Sequence, residues 1–248
     1  MPAEAAPSFV WVEELPDAGA RLRLSGEESH YLAHVCRARA GDRIRASDGR
    51  GGLAAVRLLA VGAVVEVEIE SVERSNPTRT ARLLCGAPEA QRADWLVEKL
   101  AELGIAGLQP IDCRRGAWKV ARDRRERWRR LAIAALRQSR RRFVLEVLDP
   151  LPLDAALASV PPGASCWVAD PIGQPASRIQ PPVHGLSVGL VGPSGGFDAG
   201  ERDDIRARGI GPMCLADGRL RTETAGLAWG AWWSAGGSPE GIESALPG

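Results

Sequence analysis

Residues 190–197 read LVGPSGGF and residues 220–225 read LRTETA, and these two stretches decide the fold of the chain. The first predicts an apolar β-strand that breaks into a glycine-rich turn. The second predicts the start of a helix that holds Trp229, Trp232 and Trp233. Glycines let backbone amide groups approach a ligand, and open α/β sheets bind ligands at the carboxyl ends of their strands. The two stretches therefore predict a ligand-binding site.

Strands and helices alternate along the chain from residue 81 onward. The strand-like runs are 82–85, 107–111, 165–169, 186–191 and 212–215. The helix-like runs are 93–103, 124–138, 153–159, 199–208 and 222–233. This alternation predicts a mostly parallel sheet with helices on both faces.

The first 74 residues show a different pattern, in which short strands are separated by turns. The strand-like runs are 21–24, 43–46, 53–60 and 64–72, with one helix-like insert at 27–37. This pattern predicts a small β-barrel. The glycine-rich and proline-rich end of the chain predicts a frayed segment. We therefore expect a β-barrel domain at 1–74, an α/β domain at 78–236 and a flexible tail at 237–248.

The composition is typical of a folded protein in a reducing compartment. Of the 248 residues, 45% are hydrophobic and 25% are charged, and the formal net charge is +1. Five widely spaced cysteines form no C-x-x-C pair, so neither a zinc site nor a disulfide framework is predicted. We find no signal-peptide pattern and no run near the roughly 18 apolar residues of a membrane span. These features predict a cytoplasmic protein with no metal ion and no membrane partner.

Arginine dominates the stretch from Arg114 to Arg142, where only Asp123 and Glu126 oppose the basic side chains. A charged helix face is commonly no more than a solvated surface. An excess this one-sided in a nearly neutral chain instead favours a phosphate-binding surface. Arginine binds phosphate bidentately and stacks on bases, so the stretch indicates nucleic-acid binding.

The glycine-rich turn also satisfies the G-x-S-x-G pattern of serine hydrolases. An α/β-hydrolase needs a histidine after its nucleophile, whereas the last histidine here, His184, precedes Ser194. Other triad orders place the histidine upstream, but His30 and His34 lie in the other expected domain. A serine hydrolase using Ser194 stays as a remote alternative.

Several further segments, in a fixed order, resemble one family over nearly the whole chain. Besides the two opening stretches they are HYL at 30–32, VCRARAGD at 35–42, DGRG at 48–51, EKLAELGI at 98–105, QPI at 109–111, Arg115, and 128–139. The chain resembles the small-subunit (16S) ribosomal RNA uridine N3-methyltransferases of the SPOUT (α/β-knot) superfamily. The resemblance implies a PUA-like small β-barrel followed by an α/β-knot methyltransferase domain with a trefoil-knotted parallel sheet. It also implies a homodimer to which the last helix contributes.

The resemblance further implies transfer of a methyl group from S-adenosylmethionine to N3 of a uridine, in ribosomal RNA or in the small ribosomal subunit. The implied cofactor contacts are Leu190, Gly192, Pro193, Gly195, Gly196, Leu215, Leu220, Arg221, Thr222, Thr224 and Ala225. Arg221 would stabilise developing charge, and Glu223 would accept a proton. The candidate RNA contacts are His30, Arg37, Arg39 and Arg115.

The chain departs from the family pattern at four places. Ser194 stands where the family usually has glutamate, and ADGR at 216–219 carries its arginine one residue out of place. The segment around Ser8 lacks an arginine that the family often has, and Arg137 stands where glutamate is common. These departures leave open a second interpretation, an RNA-binding protein of the same fold with weak or no methyl transfer.

Overall fold

The computed structural model describes residues 8–89, 92–118 and 123–236. They form two compact units, the first made of residues 8–77 and Leu136–Val144 and the second of the other described residues. The sequence did not predict that Leu136–Val144 joins the first unit. The expected tail at 237–248 lies outside the described residues, as do Lys119 and Arg122 of the arginine-rich stretch.

The first unit is built on a five-stranded sheet. Its strands are β1 (Phe9–Trp11), β2 (Arg21–Arg23), β3 (Arg43–Ser47), β4 (Gly52–Ala60) and β5 (Glu66–Arg74). Their order is β1-β3-β4-β5-β2, and every neighbouring pair is antiparallel except β1 and β3. Helix α1 (Gly26–His30) runs directly into a π-helical turn (Tyr31–Val35). The side chains of Val67 and Ile69 are buried, as the alternating pattern of β5 predicts.

A buried ion pair ties helix α1 to the segment Leu136–Val144. Glu28 is 2% exposed, and the Arg137 guanidinium donates to its carboxylate at 2.8 Å. The neighbouring Leu136 packs against Phe9 and Leu53 in the same unit. Arg137, one of the departures from the family pattern, therefore has a defined acidic partner.

Burial raises the pKa of Glu28 to about 7 from 4.5, and the nearby Arg137 only partly opposes this effect. The folded protein then holds the proton more tightly than the unfolded chain does, so stability falls as the pH rises from 4.5 to about 7. In Glu28→Gln this loss is absent. Across the same pH range we expect the unfolding free energy of the wild type to fall by up to about 3 kcal/mol relative to the variant. Urea unfolding of both proteins at several pH values measures this difference, and a pH-independent difference would contradict the expectation.

The second unit contains a parallel sheet. Its strands are β6 (Arg79–Cys85), β7 (Gly107–Asp112), β8 (Glu146–Val147), β9 (Leu151–Pro152), β10 (Ser165–Pro175), β11 (Gly185–Val191) and β12 (Gly211–Cys214). Their order is β12-β10-β11-β6-β7-β8, with β9 paired to β7, and all these pairs are parallel. A parallel sheet brings the carboxyl ends of its strands to one edge, which is where the two opening stretches meet.

Helices cover both faces of this sheet. The helices of this unit are α2 (Ala93–Glu102), α4 (Leu153–Ala158), α5 (Ala199–Ala207) and α6 (Thr222–Ala235). A fifth helix, α3 (Asp123–Ser139), begins in this unit, and its last residues from Leu136 onward belong to the first unit. On one face, Leu157 of α4 and Ile205 of α5 pack against Leu190 of β11. On the other face, Trp229 of α6 lies directly over Gly189. Since Gly189 and Leu190 are adjacent in one strand, their side chains point to opposite faces.

The expected β-barrel followed by an α/β domain is confirmed. The sequence pattern did not predict β1, β8 and β9, which have only two or three residues and are too short to show a period. Trp229 and Trp233 of the last helix, the helix expected to contribute to a homodimer, are buried within the second unit, and Trp232 is half-buried. In the described part of the chain, no helix is long and apolar enough to cross a membrane.

Candidate active site

A cavity of about 720 Å³ opens at the carboxyl ends of the strands in the second unit. Its wall is formed mainly by the turn after β11 and by the segment that joins β12 to α6. Further wall residues follow β6 and β7 or belong to β10. This volume lies within the range of small-molecule sites, and the location is the one where open α/β sheets bind ligands.

Hydrogen bonds within the unit hold the shape of the glycine-rich turn. Four successive carbonyl groups accept them, and the pairs are Thr222 Oγ1 with Gly192 (3.0 Å), the N–H of Gly196 with Pro193 (2.7 Å), Arg219 with Ser194 (3.4 Å) and Arg115 with Gly195 (3.2 Å). These carbonyl groups already accept hydrogen bonds from within the protein, so the turn has a fixed shape before a ligand binds. The pair of Arg219 with Ser194 also brings together two of the four places where the chain departs from the family.

The end of β6 lies directly against this turn. The N–H of Gly86 donates to the carbonyl of Val191 at 2.8 Å, and a Cβ on Gly86 would lie only 2.3 Å from the Pro193 nitrogen. Trp118 Nε1 donates to the carbonyl of Cys85 at 2.8 Å. Glycine is required at residue 86 because a side chain there would displace the turn.

Helix α5 begins immediately after the turn with a capping box. Asp198 accepts a hydrogen bond from the N–H of Glu201 at 2.8 Å, and the Glu201 carboxylate accepts one from the N–H of Asp198 at 2.9 Å. The bond from the Glu201 N–H lowers the pKa of Asp198, because it stabilises the ionised carboxyl group. The cap fixes where the turn ends and the helix starts.

The two predicted catalytic residues line the cavity from the start of α6. The Arg221 guanidinium donates to the Glu89 carboxylate at 2.8 Å. Glu223 is 3% exposed, and its carboxylate lies 4.0 Å from Arg92 Nε. A cation and a carboxylate two residues apart are thus both present at one cavity, where they could stabilise an anion and accept a proton.

Most of the predicted cofactor contacts lie in the cavity wall. They are Gly192, Pro193, Gly195, Gly196, Leu215, Leu220, Arg221, Thr222 and Ala225. Two others lie elsewhere: Leu190 is buried in the core beneath α4 and α5, and Thr224 has an exposed side chain on α6. The roles of all these residues stay predictions.

Several charged residues of the wall were not predicted from the sequence, among them Glu89, Asp170, Arg202 and Asp217. Glu89 follows a predicted strand, so its place at the carboxyl edge of the sheet was an available signal. Asp170 lies in a stretch where the pairing of β10 with β12 shifts in register, between Ala169 and Gln174. A bulge of this kind leaves no periodic signal in the sequence.

The predicted RNA contacts fall in both units. Arg115 lines the cavity of the second unit. His30, Arg37 and Arg39 are exposed residues on or just after α1 and the π-helical turn of the first unit. Arg37 has φ of +54°, a left-handed conformation that is uncommon outside glycine. Such strain persists where the surroundings hold it and is typical of ligand-binding segments.

The one-sided charge of the arginine-rich stretch is partly neutralised by acids from elsewhere in the chain. Its ion pairs include Arg114 with Asp198 (3.3 Å), Arg125 with Asp149, Arg127 with Asp94 (2.7 Å), Arg137 with Glu28 (2.8 Å) and Glu27 (3.4 Å), and Arg142 with Glu73 (2.7 Å). The local count of charges could not show these partners. The stretch therefore carries less free positive charge than its sequence indicates.

The geometry does not support a serine hydrolase. His184 lies just before β11, and Ser194 follows that strand. The two residues therefore lie at opposite ends of a seven-residue β-strand. Among the residues that the structure describes, no histidine lines the cavity. In the same residues, no cluster of side chains suited to a metal ion occurs.

Comparison with known proteins identifies the cavity-bearing unit. Residues 74–234 match the RNA methyltransferase domain family, and residues 24–68 match the RNA methyltransferase PUA domain family. The ribosomal RNA small subunit methyltransferase E of Bacillus subtilis is 27% identical over 237 residues, which cover 87% of this chain and 89% of that protein. The protein of the same name from Synechocystis is 27% identical over 213 residues, covering 83% and 70%.

Two solved structures are similar over nearly their whole length. A ribosomal RNA small subunit methyltransferase E from Neisseria gonorrhoeae, bound to S-adenosylmethionine, has a TM-score of 0.78 at 27% identity and covers 91% of this chain and 95% of its own. A probable rRNA-methyltransferase from Porphyromonas gingivalis has a TM-score of 0.79 at 26% identity, covering 92% and 98%. The family match takes in both stretches that form the cavity, and the chain belongs to the RNA methyltransferase domain family.

Proposed function

We propose that this protein transfers a methyl group from S-adenosylmethionine to N3 of a uridine in small-subunit ribosomal RNA. The observation that carries the proposal is the cavity at the sheet edge, which lies within the part of the chain that matches the RNA methyltransferase family. The names of the similar proteins support ribosomal RNA as the substrate, and the neisserial structure supports the cofactor.

The cavity fits S-adenosylmethionine in size and chemistry. The glycines of the turn have no side chain to keep a ligand away from the backbone, and Val191, Leu215 and Leu220 supply an apolar wall suited to an adenine ring. Acidic and basic side chains at the same cavity suit the charged amino acid end of the molecule. When bound, the cofactor supplies a methyl group on a positively charged sulfur atom.

Two residues of the chain would serve the reaction on the uracil ring. Uridine N3 carries a proton, which must leave as the methyl group arrives. The buried Glu223 carboxylate is our candidate acceptor for that proton, with Arg92 as its nearby cation. Arg221 is our candidate for stabilising the negative charge that develops on the ring. The preorganised turn would hold the reacting groups in position.

RNA would be bound by His30, Arg37, Arg39 and Arg115. The exposed position of the first three and the strained backbone of Arg37 support this assignment. The homodimer implied by the family resemblance and the cytoplasmic location predicted from the composition belong to the same proposal. Light scattering of the purified chain tests the dimer.

Arg39→Ala is expected to weaken RNA binding by removing one phosphate contact. The slope of log Kd against log salt concentration should fall by about 0.7, the value for one phosphate of a single strand. Arg23→Ala is the matched control, because Arg23 is another exposed arginine of the same unit and pairs with Glu66. Equal effects of the two substitutions would remove Arg39 from the RNA site.

The proposal is tested in two steps. Calorimetry with S-adenosylmethionine measures cofactor binding by the folded protein. Incubation with small ribosomal subunits that lack the modification, followed by mapping of new methyl groups, identifies the nucleotide and the atom. A folded protein that binds RNA but no cofactor would support the second interpretation, an RNA-binding protein of the same fold without methyl transfer.

A further inference from the structure

The charges around the cavity balance one another. Four basic side chains line it, namely Arg115, Arg202, Arg219 and Arg221. Four acidic side chains line it as well, namely Glu89, Asp170, Asp217 and Glu223. A polyanion is attracted to a surface with an excess of positive charge. A balanced wall offers no such excess unless one of the acids moves away from its basic partner.

Glu89 and Arg221 form a direct ion pair at this wall. Arg221 Nη1 lies 2.8 Å from Glu89 Oε1, although the two residues are 132 positions apart in the chain. Glu89 follows β6 closely, three residues after Gly86, which is packed against the turn. Arg221 precedes α6, and its carbonyl accepts a hydrogen bond from the N–H of Ala225 at 2.8 Å. Structured elements therefore place both residues at the cavity.

The side chains themselves remain accessible to solvent. The Arg221 side chain is 63% exposed and the Glu89 side chain is 60% exposed. An exposed ion pair shifts an equilibrium by at most about fivefold, because water screens both charges. The pair can thus open at little cost in free energy when another anionic group binds the guanidinium in place of the carboxylate. The Glu223 carboxylate, at 3% exposure, has no such freedom.

We propose that Glu89 occupies the Nη1 side of the Arg221 guanidinium in place of a phosphate group of the RNA. Bound RNA takes over these donors, while the other N–H groups of the guanidinium stay available to the uracil ring. A phosphate presents oxygens that match the planar guanidinium bidentately, so it can replace a carboxylate at the same donors. Glu89 then acts as an internal competitor that weakens the binding of RNA. This inference rests on the proposed function, because it takes RNA as the ligand.

Removing the competitor gives the test. In the full-length protein, Glu89→Gln is expected to bind a fluorescein-labelled oligouridylate up to about fivefold more tightly at low salt. The slope of log Kd against log salt concentration should steepen by up to about 0.7, because the same phosphate contact forms without leaving the Glu89 carboxylate unpaired to take up a cation. Fluorescence anisotropy measures both quantities and requires no methyl transfer.

Two further variants separate this effect from a general gain of positive charge. Asp203→Asn frees Arg206 from an ion pair of 2.9 Å on α5 that is equally exposed and lies outside the cavity wall, so it should bind RNA as the wild type does. The double variant Glu89→Gln/Arg221→Ala should bind no more tightly than Arg221→Ala alone. This result is expected because Glu89 acts only through Arg221.

The outcomes are distinct from those of the proposed function. A wild-type protein that binds RNA without transferring methyl groups contradicts the proposed function and leaves the affinity comparison intact. The inference is wrong if Glu89→Gln binds the oligouridylate no more tightly than the wild type does. It is also wrong if Asp203→Asn gains as much RNA affinity as Glu89→Gln. A loss of kcat with unchanged RNA affinity overturns it too, because Glu89 would then position Arg221 during the reaction.

Discussion

Arg221→Ala is expected to lower the rate of methyl transfer by about 10²- to 10³-fold, the effect of removing one preorganised donor to a developing anion. The side chain lines the cavity and lies largely in solvent, so its loss opens no space in the core. The unfolding free energy should therefore change by less than about 0.5 kcal/mol. Single-turnover measurement with saturating cofactor and RNA gives the rate, and urea unfolding gives the stability.

Arg206→Ala is the control for this prediction. Arg206 is a similarly exposed arginine in an ion pair with Asp203, outside the cavity wall. It should retain the wild-type rate. Full activity of Arg221→Ala would remove Arg221 from the catalytic assignment. A comparable loss in both variants would show that the effect is not specific to the cavity.

Gly86→Ala is expected to disrupt the cavity by displacing the glycine-rich turn that forms part of its wall. The added Cβ would lie 2.3 Å from the Pro193 nitrogen, which is a backbone atom that cannot rotate away. The turn must then shift, at a cost of about 1 to 3 kcal/mol in unfolding free energy. Because the same turn forms the cavity wall, we expect the affinity for S-adenosylmethionine to fall by at least about tenfold.

Calorimetry and thermal unfolding check both parts of this expectation. Gly211→Ala is the matched control, because a Cβ at that position in β12 meets nothing within 4 Å. It should leave both quantities near the wild-type values. Unchanged cofactor affinity in a destabilised Gly86→Ala protein would show that the turn does not hold the ligand.

The departures from the family pattern acquire structural meaning in two places. Arg219, shifted by one residue, donates to the carbonyl of Ser194, so the altered segment supports the altered turn. Arg137 pairs with the buried Glu28. The carbonyl of Ser8 accepts the N–H of Arg45 at 2.9 Å, and nothing in the structure explains the missing arginine there. Three of the four departures, Ser194, Arg219 and Arg137, are thus matched to partners within this chain.

Much of the fold could be predicted from local patterns. The alternation in β5 and the apolar periods of α2 and α6 depend on residues a few positions apart, which is the range that such patterns report. The shortest strands could not be predicted, because β8 and β9 have two residues each and exist only through pairing with β7. The segment Leu136–Val144 likewise joined the first unit through long-range packing.

The sequence by itself determined the α/β alternation, the glycine-rich turn and the segment before α6, together with the family resemblance they carry. Only the tertiary structure decided which charges are free. Arg221 meets Glu89 across 132 positions, and Arg137 meets Glu28 across 109. A local pattern specifies which face a side chain occupies, but the partner of a charge depends on how distant segments pack. The cavity therefore has a balanced wall that no count of charges along the chain could indicate.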